Sequence, residues 1–452
     1  AYIAAQRKKD SEIREICDEI LTELSAGKLT PGFDYVVEQS CLLPFLEFYL
    51  KQDSLTEMER HADIFHTVVE ICLQMAKHPA TAKLFLLLPG EKRSLHSYVV
   101  ELGKQAKLVE KFTASGPSSA SAVSAASSQS NHDSSYGLYG YGHAAKSTAL
   151  PAVAHKYKMS LSAHIVQMME AVDRSVAALA PVASKEAVAT TEVKAADEED
   201  PKEYIRLMSQ HKFGEMSKFQ YHHYWKEGEN QSVTRDWSKR LAMELSDLTK
   251  SLPIQWDSSV FMRVHDEKMA FCQILIAAPA DTPYSRGCFL FDVWFPQAYP
   301  NGPPKVNMQT TGKGSVRFNP NLYNCGKVCL SLLGTWSGSK GENWNPNTAT
   351  FLQVAISIQS LIMVPEPYFN EPGYERDMGT AQGKKASESY NSNIQAQTVR
   401  WAMIDMIKNP PPGFEEVVLS HFYLQRKTII SQCEEWGKSN AEVRSQLSAL
   451  KE

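Results

Sequence analysis

Residues 113–155 cannot build a packed core, and that break decides how the rest of the chain must fold. The stretch is dominated by Ser, Ala and Gly and reads Tyr-Gly-Leu-Tyr-Gly-Tyr-Gly-His at 136–143. It holds too little apolar surface to offset the entropy of ordering it, so it reads as a disordered linker. A second stretch, 181–202, is rich in Ala, Glu and Lys and carries the acidic run Asp197 to Asp200, ordinarily solvated chain. A chain of 452 residues divided this way builds two or three domains.

Composition narrows the class. Lys plus Arg is 47 against 51 for Asp plus Glu, a net charge of −4. Polyanion binders are normally basic, so no nucleic-acid partner is expected. No run of eighteen apolar residues exists, which argues against a membrane span. The opening Ala1-Tyr2-Ile3-Ala4 lacks an initiator Met and an apolar signal core and reads as the start of a fragment. Eight cysteines are too sparse for a disulfide scaffold and fit a reducing compartment, the cytoplasm.

Ahead of the break, residues 10–111 look all-helical. Ile13, Ile16, Ile20, Leu21 and Leu24 recur at helical spacing, and Gly27 with Pro31-Gly32 ends that helix. Further apolar segments at 33–50, 61–77, 79–88 and 94–111 predict a helical bundle or the end of a solenoid. Another helix is expected at 158–179 within an otherwise low-complexity 112–202.

From 203 onward the pattern changes. Trp237, Leu241, Leu245, Leu248 and Leu252 predict a helix over 234–251 closed by Pro253. Four strand-like runs follow, Val260–Val264, Phe271–Ala277, Cys288–Phe295 and Lys305–Gln309, as in an antiparallel meander. A buried helix is expected at 348–364, and two more near 387–408 and 413–437. Strands grouped between helices make an α+β domain, 203–437, with 438–452 as a tail.

Between the fourth strand and the buried helix lies a long irregular stretch, Arg317 to Leu332, and long ordered loops are disproportionately functional. Its order resembles the ubiquitin-conjugating enzymes: helix, four-stranded meander, a His-Pro-Asn motif, then a Cys eight residues past the Asn. Here Asn319-Pro320-Asn321 precedes Cys329 by that interval. Thr282-Pro283-Tyr284, Phe295-Pro296, Tyr299-Pro300 and Pro303-Pro304-Lys305-Val306 match in order and spacing. Phe318 to Tyr323, Gly326 to Ser331 and Pro367 to Tyr374 resemble the large subgroup of that family. The tail His421-Phe422-Tyr423-Leu424 with Gln432-Cys433-Glu434-Glu435-Trp436 is most similar to its giant inhibitor-of-apoptosis hybrids. The resemblance covers about 230–437.

What the resemblance implies is a cysteine acyl transferase with the ubiquitin-conjugating fold. Ubiquitin arrives from the activating enzyme as a thioester on Cys329, whose thiolate is the nucleophile. Asn321 stabilises the oxyanion or orders its loop, and Glu371 orients or deprotonates the incoming lysine. Asn319, Pro320, Ser331 and Asn370 are the loop-organising positions. Asn319 stands where the family has His, Ser331 where Asp is common, and Asn370-Glu371 where an Asp pair is common. Pro300, Asn301, Asn345 and Pro346 are the partner-docking positions; Asn301 replaces an exposed Phe, which disfavours ordinary RING-type docking. The fifteen residues from Cys329 to Trp344 imply an inserted loop, Gly334 to Asn343. No cofactor or metal is implied, ATP being spent by the activating enzyme. Partners are ubiquitin, the activating enzyme, protein substrates and a ligase partner; a role in apoptosis comes only by analogy with the whole hybrid.

Blander readings compete. A lone Cys is more often a packed thiol. Cys325 and Cys329 form a Cys-x3-Cys pair, but no second pair has zinc spacing. Thr311-Gly312-Lys313-Gly314-Ser315 lacks the order of a phosphate loop and reads as a turn. The aromatic run Tyr221-His222-His223-Tyr224-Trp225 reads as a packed connector. Two other functions remain open on sequence alone: an inactive conjugating-fold variant that only binds, favoured by Asn319 and Ser331, and a helical interaction scaffold in 10–111.

Overall fold

A computed structural model describes residues 2–25, 33–52, 54–86, 93–114, 157, 159–179, 199–336 and 342–452. The expected linkers at 113–155 and 181–202 fall largely outside them. Contacts divide the chain into two compact units. One comprises Ala1–Lys51, Met58–Gly103 and Ala114–Leu179; the other, Gln52–Glu57, Lys104–Thr113 and Ala180–Glu452.

The first unit is helical: α1 (Tyr2–Ser25), α2 (Phe33–Gln39), α3 (Leu42–Leu50), the end of α4 (Leu55–Arg60), α5 (Ala62–Lys77), α6 (Pro79–Ala82), the start of α7 (Leu95–Ala114) and α8 (Leu161–Leu179). Helix α5 is buried at ten successive or near-successive positions from Ile64 to Met75, because α1 and α8 both pack against it. Helix α8, read from sequence as an isolated helix in a linker, therefore belongs to this core; Ile165, Met168 and Val172 are fully buried.

The second unit runs α9 (Pro201–Met208), β1 (Phe213–Met216), α10 (Trp225–Gly228), α11 (Arg235–Ser251), β2 (Ser259–His265), β3 (Phe271–Ala277), β4 (Cys288–Trp294) and β5 (Lys305–Met308). Then come α12 (Phe351–Ser357), extended by a π-helical turn Ile358–Ile362, α13 (Ala381–Gln397), a π-helical turn Thr398–Ile404, α14 (Asp405–Lys408), α15 (Glu415–Leu424), α16 (Arg426–Ser439) and α17 (Ala441–Lys451). Thr234 caps α11 by accepting from Trp237 N at 3.2 Å, and Gln353 Oε1 closes the start of α12 on Thr350 N at 3.2 Å.

The expected meander is present as β2-β3-β4-β5, all antiparallel, but the sheet has five strands. Strand β1 pairs parallel with β2, Gly214 opposite Arg263. Four residues, Phe-Gly-Glu-Met, are too few to show alternation, which is why the sequence did not disclose it. In register across β2, β3, β4 and β5 lie Arg263, Gln273, Asp292 and Asn307, a row of polar side chains buried inside the protein. The preceding connector partners the middle two, Gln273 Nε2 donating to Tyr221 O at 3.2 Å and His223 N to Asp292 Oδ2 at 2.7 Å, while Arg263 donates to Gly413 O at 2.7 Å and Asn307 Oδ1 accepts from Gln309 at 2.8 Å. Of the aromatic run at 221–225, His222, Tyr224 and Trp225 pack on Phe271 and Trp294 of the sheet, whereas Tyr221 is 62% exposed. On the same sheet face Phe261, Leu275 and Cys288 join Tyr204, Val399, Met403, Phe414, Phe422, Ile429 and Val443 in one core. Tyr204 and Val443 lie in α9 and α17, so the chain expected as a tail past 437 is part of that core.

Candidate active site

The loop after β5 folds back on itself. Leu322 bridges Val328, Tyr323 N donates to Lys327 O at 3.0 Å, and Met308 N to Gly326 O at 2.7 Å. Gly326 makes this possible: its φ is +85°, and a Cβ there would sit 2.4 Å from Asn307 Oδ1. The fold-back brings residues 321 and 329 together. Cys329 N donates to Asn321 O at 2.9 Å, and Asn321 Nδ2 donates to Cys329 O at 2.9 Å. Asn321 Nδ2 has a second N–H with no hydrogen-bond partner among the described residues.

Asn319 is fully buried and sits at the centre of a network. Its Nδ2 donates to Tyr284 Oη at 2.9 Å and to Ile362 O at 2.8 Å; its Oδ1 accepts from Asn321 N at 2.8 Å and from Asn370 Nδ2 at 3.4 Å. Tyr284 in turn donates to Phe318 O at 2.7 Å. Pro320 is buried beside it. One amide therefore ties the 282–286 turn, the loop, the end of the buried helix and the 367–374 segment together. Glu371, next to Asn370, pairs with Arg317 at 3.2 Å; Arg317 also donates to Pro320 O at 2.7 Å and lies 4.4 Å over the Tyr323 ring.

Ser331 opens a short 3-10 turn, Ser331–Leu333, that ends on Gly334. Past it, Thr335 was missed by sequence reasoning. Its hydroxyl accepts from Leu330 N at 3.0 Å and donates to Val328 O at 2.7 Å, bracketing Cys329 on both sides. No sequence motif marked it, because its partners are backbone atoms. The two segments expected to dock partners meet: Trp344 Nε1 donates to Pro300 O at 2.6 Å, and the Tyr299 and Trp344 rings lie 5.6 Å apart. Asn301 and Asn345 are exposed, and Pro300 and Pro346 half-buried.

Six of the eight cysteines are buried, Cys329 among them, and Cys41 and Cys325 are exposed. Burial pushes the Cys17 thiol up to about 11 and those of Cys72 and Cys433 to about 12, and raises Cys272 and Cys288 as well. Such thiols are inert at neutral pH. Cys325 is exposed at the tip of the fold-back, and Cys329 is buried at its base. Among the described residues no group of three or more His, Cys, Asp or Glu is placed to hold a metal, and no helix is long and apolar enough to cross a membrane.

Residues 240–398 match the ubiquitin-conjugating enzyme family, a span holding the meander, the Asn321–Cys329 pair and the Asn319 network. The chain carries a ubiquitin-conjugating enzyme domain. Over 427 residues, 89% of the chain, it is 38% identical to the human dual E2 ubiquitin-conjugating enzyme/E3 ubiquitin-protein ligase BIRC6, also called BRUCE or Apollon. It spans 8% of that protein's length. It is 46% identical over 202 residues to the probable ubiquitin-conjugating enzyme protein 17 of Caenorhabditis elegans, covering 45% of this chain and 28% of that protein. A putative ubiquitin-conjugating enzyme E2 38 of Arabidopsis thaliana is 38% identical over 223 residues, 49% of this chain and 66% of that protein. The likeness to BIRC6 runs beyond the conjugating domain into the helical unit; the other two cover about half the chain.

Proposed function

We propose that the conjugating domain forms a thioester between Cys329 and the ubiquitin C-terminus and passes ubiquitin to substrate lysines. The observation that carries this is the reciprocal pair between Asn321 and Cys329. It fixes the nucleophile's backbone against an amide that keeps one N–H free for a developing oxyanion. Donors held in place before charge develops cost no reorganisation at the transition state. Asn319, Pro320 and Asn370 hold that loop, and Ser331 begins the turn leaving it. Glu371 is the candidate to orient the lysine ammonium; its support is its position beside Asn370, and Arg317 competes for its carboxylate.

The activating enzyme and ubiquitin are the partners this chemistry requires, ATP is consumed by the activating enzyme, and the chain itself needs no cofactor. Pro300, Asn301, Asn345 and Pro346 form one candidate surface for the activating enzyme or a ligase. A hybrid enzyme and ligase with a part in apoptosis is proposed from the likeness to BIRC6, and a cytoplasmic setting from the sparse cysteines.

The test is a charging assay with activating enzyme, ATP and ubiquitin. A reductant-sensitive adduct is expected, lost in Cys329→Ala and kept in Cys325→Ala. An adduct that persists in Cys329→Ala overturns the assignment. Asn321→Ala is expected to charge and then discharge to lysine about 100-fold more slowly, the scale of losing one oxyanion donor. Equal discharge rates would remove Asn321 from the chemistry.

A further inference from the structure

The turn Thr311-Gly312-Lys313-Gly314-Ser315 has no part in the thioester chemistry, yet it holds a lysine at a cost. Lys313 has φ +57°, between Gly312 at +59° and Gly314 at +83°. A residue with a Cβ is strained in that left-handed region and glycine is not, so a lysine kept there points to a use for its side chain. The surrounding chain is one-sided in charge, with no Asp or Glu between Asp292 and Glu342.

Cations from this stretch and from the 398–404 turn stand on two aromatic rings. Lys313 Nζ lies 5.8 Å and the Arg400 guanidinium 4.9 Å from the centre of the Trp401 ring. The Arg317 guanidinium lies 4.4 Å and Lys327 Nζ 5.6 Å from the centre of the Tyr323 ring. Asn324 Nδ2 donates to Gly314 O at 3.0 Å, which ties the two groups together on the fold-back that ends at Cys329. All four cations are exposed. A ring face holds a cation in place without cancelling its charge. Of the four, only Arg317 makes an ion pair among the described residues, with Glu371 at 3.2 Å. Glu371 and Asp405, the next acid past Trp401, oppose the patch; Lys313, Lys327 and Arg400 keep their charge.

We infer that this face receives an acidic segment of the substrate protein, so that lysines close to Asp and Glu are the preferred acceptors. Cations spread over two rings match a row of carboxylates, whereas a single anion calls for donors converging on one point. The patch shares a loop with Cys329, so a segment held there brings its neighbouring lysine towards the thioester. That consequence rests on the thioester reading; binding of the segment does not.

The test begins with fluorescence anisotropy of labelled hexaglutamate on the full, uncharged chain, with hexaglutamine as the neutral control. Binding of hexaglutamate is expected at about 50 mM salt and should fall severalfold at about 300 mM, as the charges are screened. Hexaglutamine should not bind. Lys313→Gln, Lys327→Gln and Arg400→Gln should each weaken hexaglutamate about three- to fivefold, the scale of an exposed ion pair. Lys202→Gln on α9, which alters bulk charge alone, should not. Lys313→Gly suits the turn's backbone, so it should weaken binding without lowering the urea midpoint, an outcome that misfolding cannot produce. The second arm charges the protein and compares discharge onto a lysine peptide flanked by Glu with one flanked by Gln; the Glu peptide should react about threefold faster or more. No hexaglutamate binding, equal binding of hexaglutamine, equal weakening by Lys202→Gln, or displacement by inorganic phosphate beyond that of chloride at matched ionic strength overturns the docking surface. Equal discharge onto the two peptides overturns the acceptor preference. The binding arm needs neither activating enzyme nor ubiquitin, so its failure is separable from failure of Cys329 to charge.

Discussion

Asn319 stands where the resemblance places a histidine, and its hydrogen bonds show why that exchange would not be neutral. Asn319 uses two N–H donors, on Tyr284 Oη and Ile362 O, and one oxygen that accepts from Asn321 N and Asn370 Nδ2. A neutral imidazole offers one donor and one acceptor. Asn319→His is therefore expected to destabilise the domain by about 1–3 kcal/mol, the cost of a buried polar group left unpaired. Urea unfolding of the two proteins measures it; equal midpoints and slopes would refute it. Thr335 acts at the same scale. Thr335→Val removes the hydroxyl that holds Val328 O and Leu330 N, while Thr335→Ser keeps it. The valine variant should charge more slowly than the serine variant, and matched rates would show that the bracket around Cys329 is irrelevant.

At the scale of elements, α9 and α15 are joined to the 284–287 turn through one buried histidine. His421 Nε2 lies 3.0 Å from Arg286 O, which can only accept, so the proton is on Nε2. Nδ1 then accepts from the Tyr204 hydroxyl at 2.8 Å. Burial holds the His421 pKa down at about 4 against an ordinary value near 6.5. Because the folded value is the lower one, the unfolded chain binds the extra proton first as pH falls. The stabilisation is complete above about pH 6.5 and is lost between 6.5 and 4, at up to about 1.4 kcal/mol per pH unit. His222 has the same sense, held at about 4 by burial, while Asp292, raised to about 6 by burial, opposes both. The clean measurement is a difference. His421→Gln should show a shallower loss of stability between pH 6.5 and 4.5 than the unaltered chain, and parallel curves would dismiss the assignment.

At the scale of the whole molecule, the conjugating unit recruits chain from far upstream. Asp247 on α11 accepts from Ser54 Oγ at 2.8 Å and Leu55 N at 2.7 Å, and Ser246 Oγ donates to Gln105 O at 3.1 Å. Burial raises the pKa of the Asp247 carboxyl above its ordinary value, while the hydrogen bonds from Ser54 and Leu55 pull it down. A fragment starting at 199 strips Asp247 and Ser246 of those partners. It should charge at Cys329 yet unfold at lower urea, by about 1–3 kcal/mol, than the same unit within the full chain. A fragment of equal stability would show that 52–57 and 104–113 contribute nothing to it.

How much of this was legible follows from where the information sits. The division into a helical part and an α+β part, the four antiparallel strands within a residue or two of their ends, and the Asn321-to-Cys329 interval were readable. Each rests on local periodicity or spacing along one chain. Strand β1, the docking of α8 on α5, and the inclusion of α17 in the core were not. A four-residue strand carries no period, and a helix does not state which partner buries its face. Sequence likewise named Asn319 as a departure, but only the fold supplies the Tyr284, Ile362 and Asn370 atoms that make an amide fit there. The break at 113–155 does not divide the two cores, because α8 beyond it packs on α5 before it. Which distant segments complete each core was decided by tertiary contacts, because a buried polar group is satisfied by whatever the fold brings within hydrogen-bond reach, at any distance in sequence.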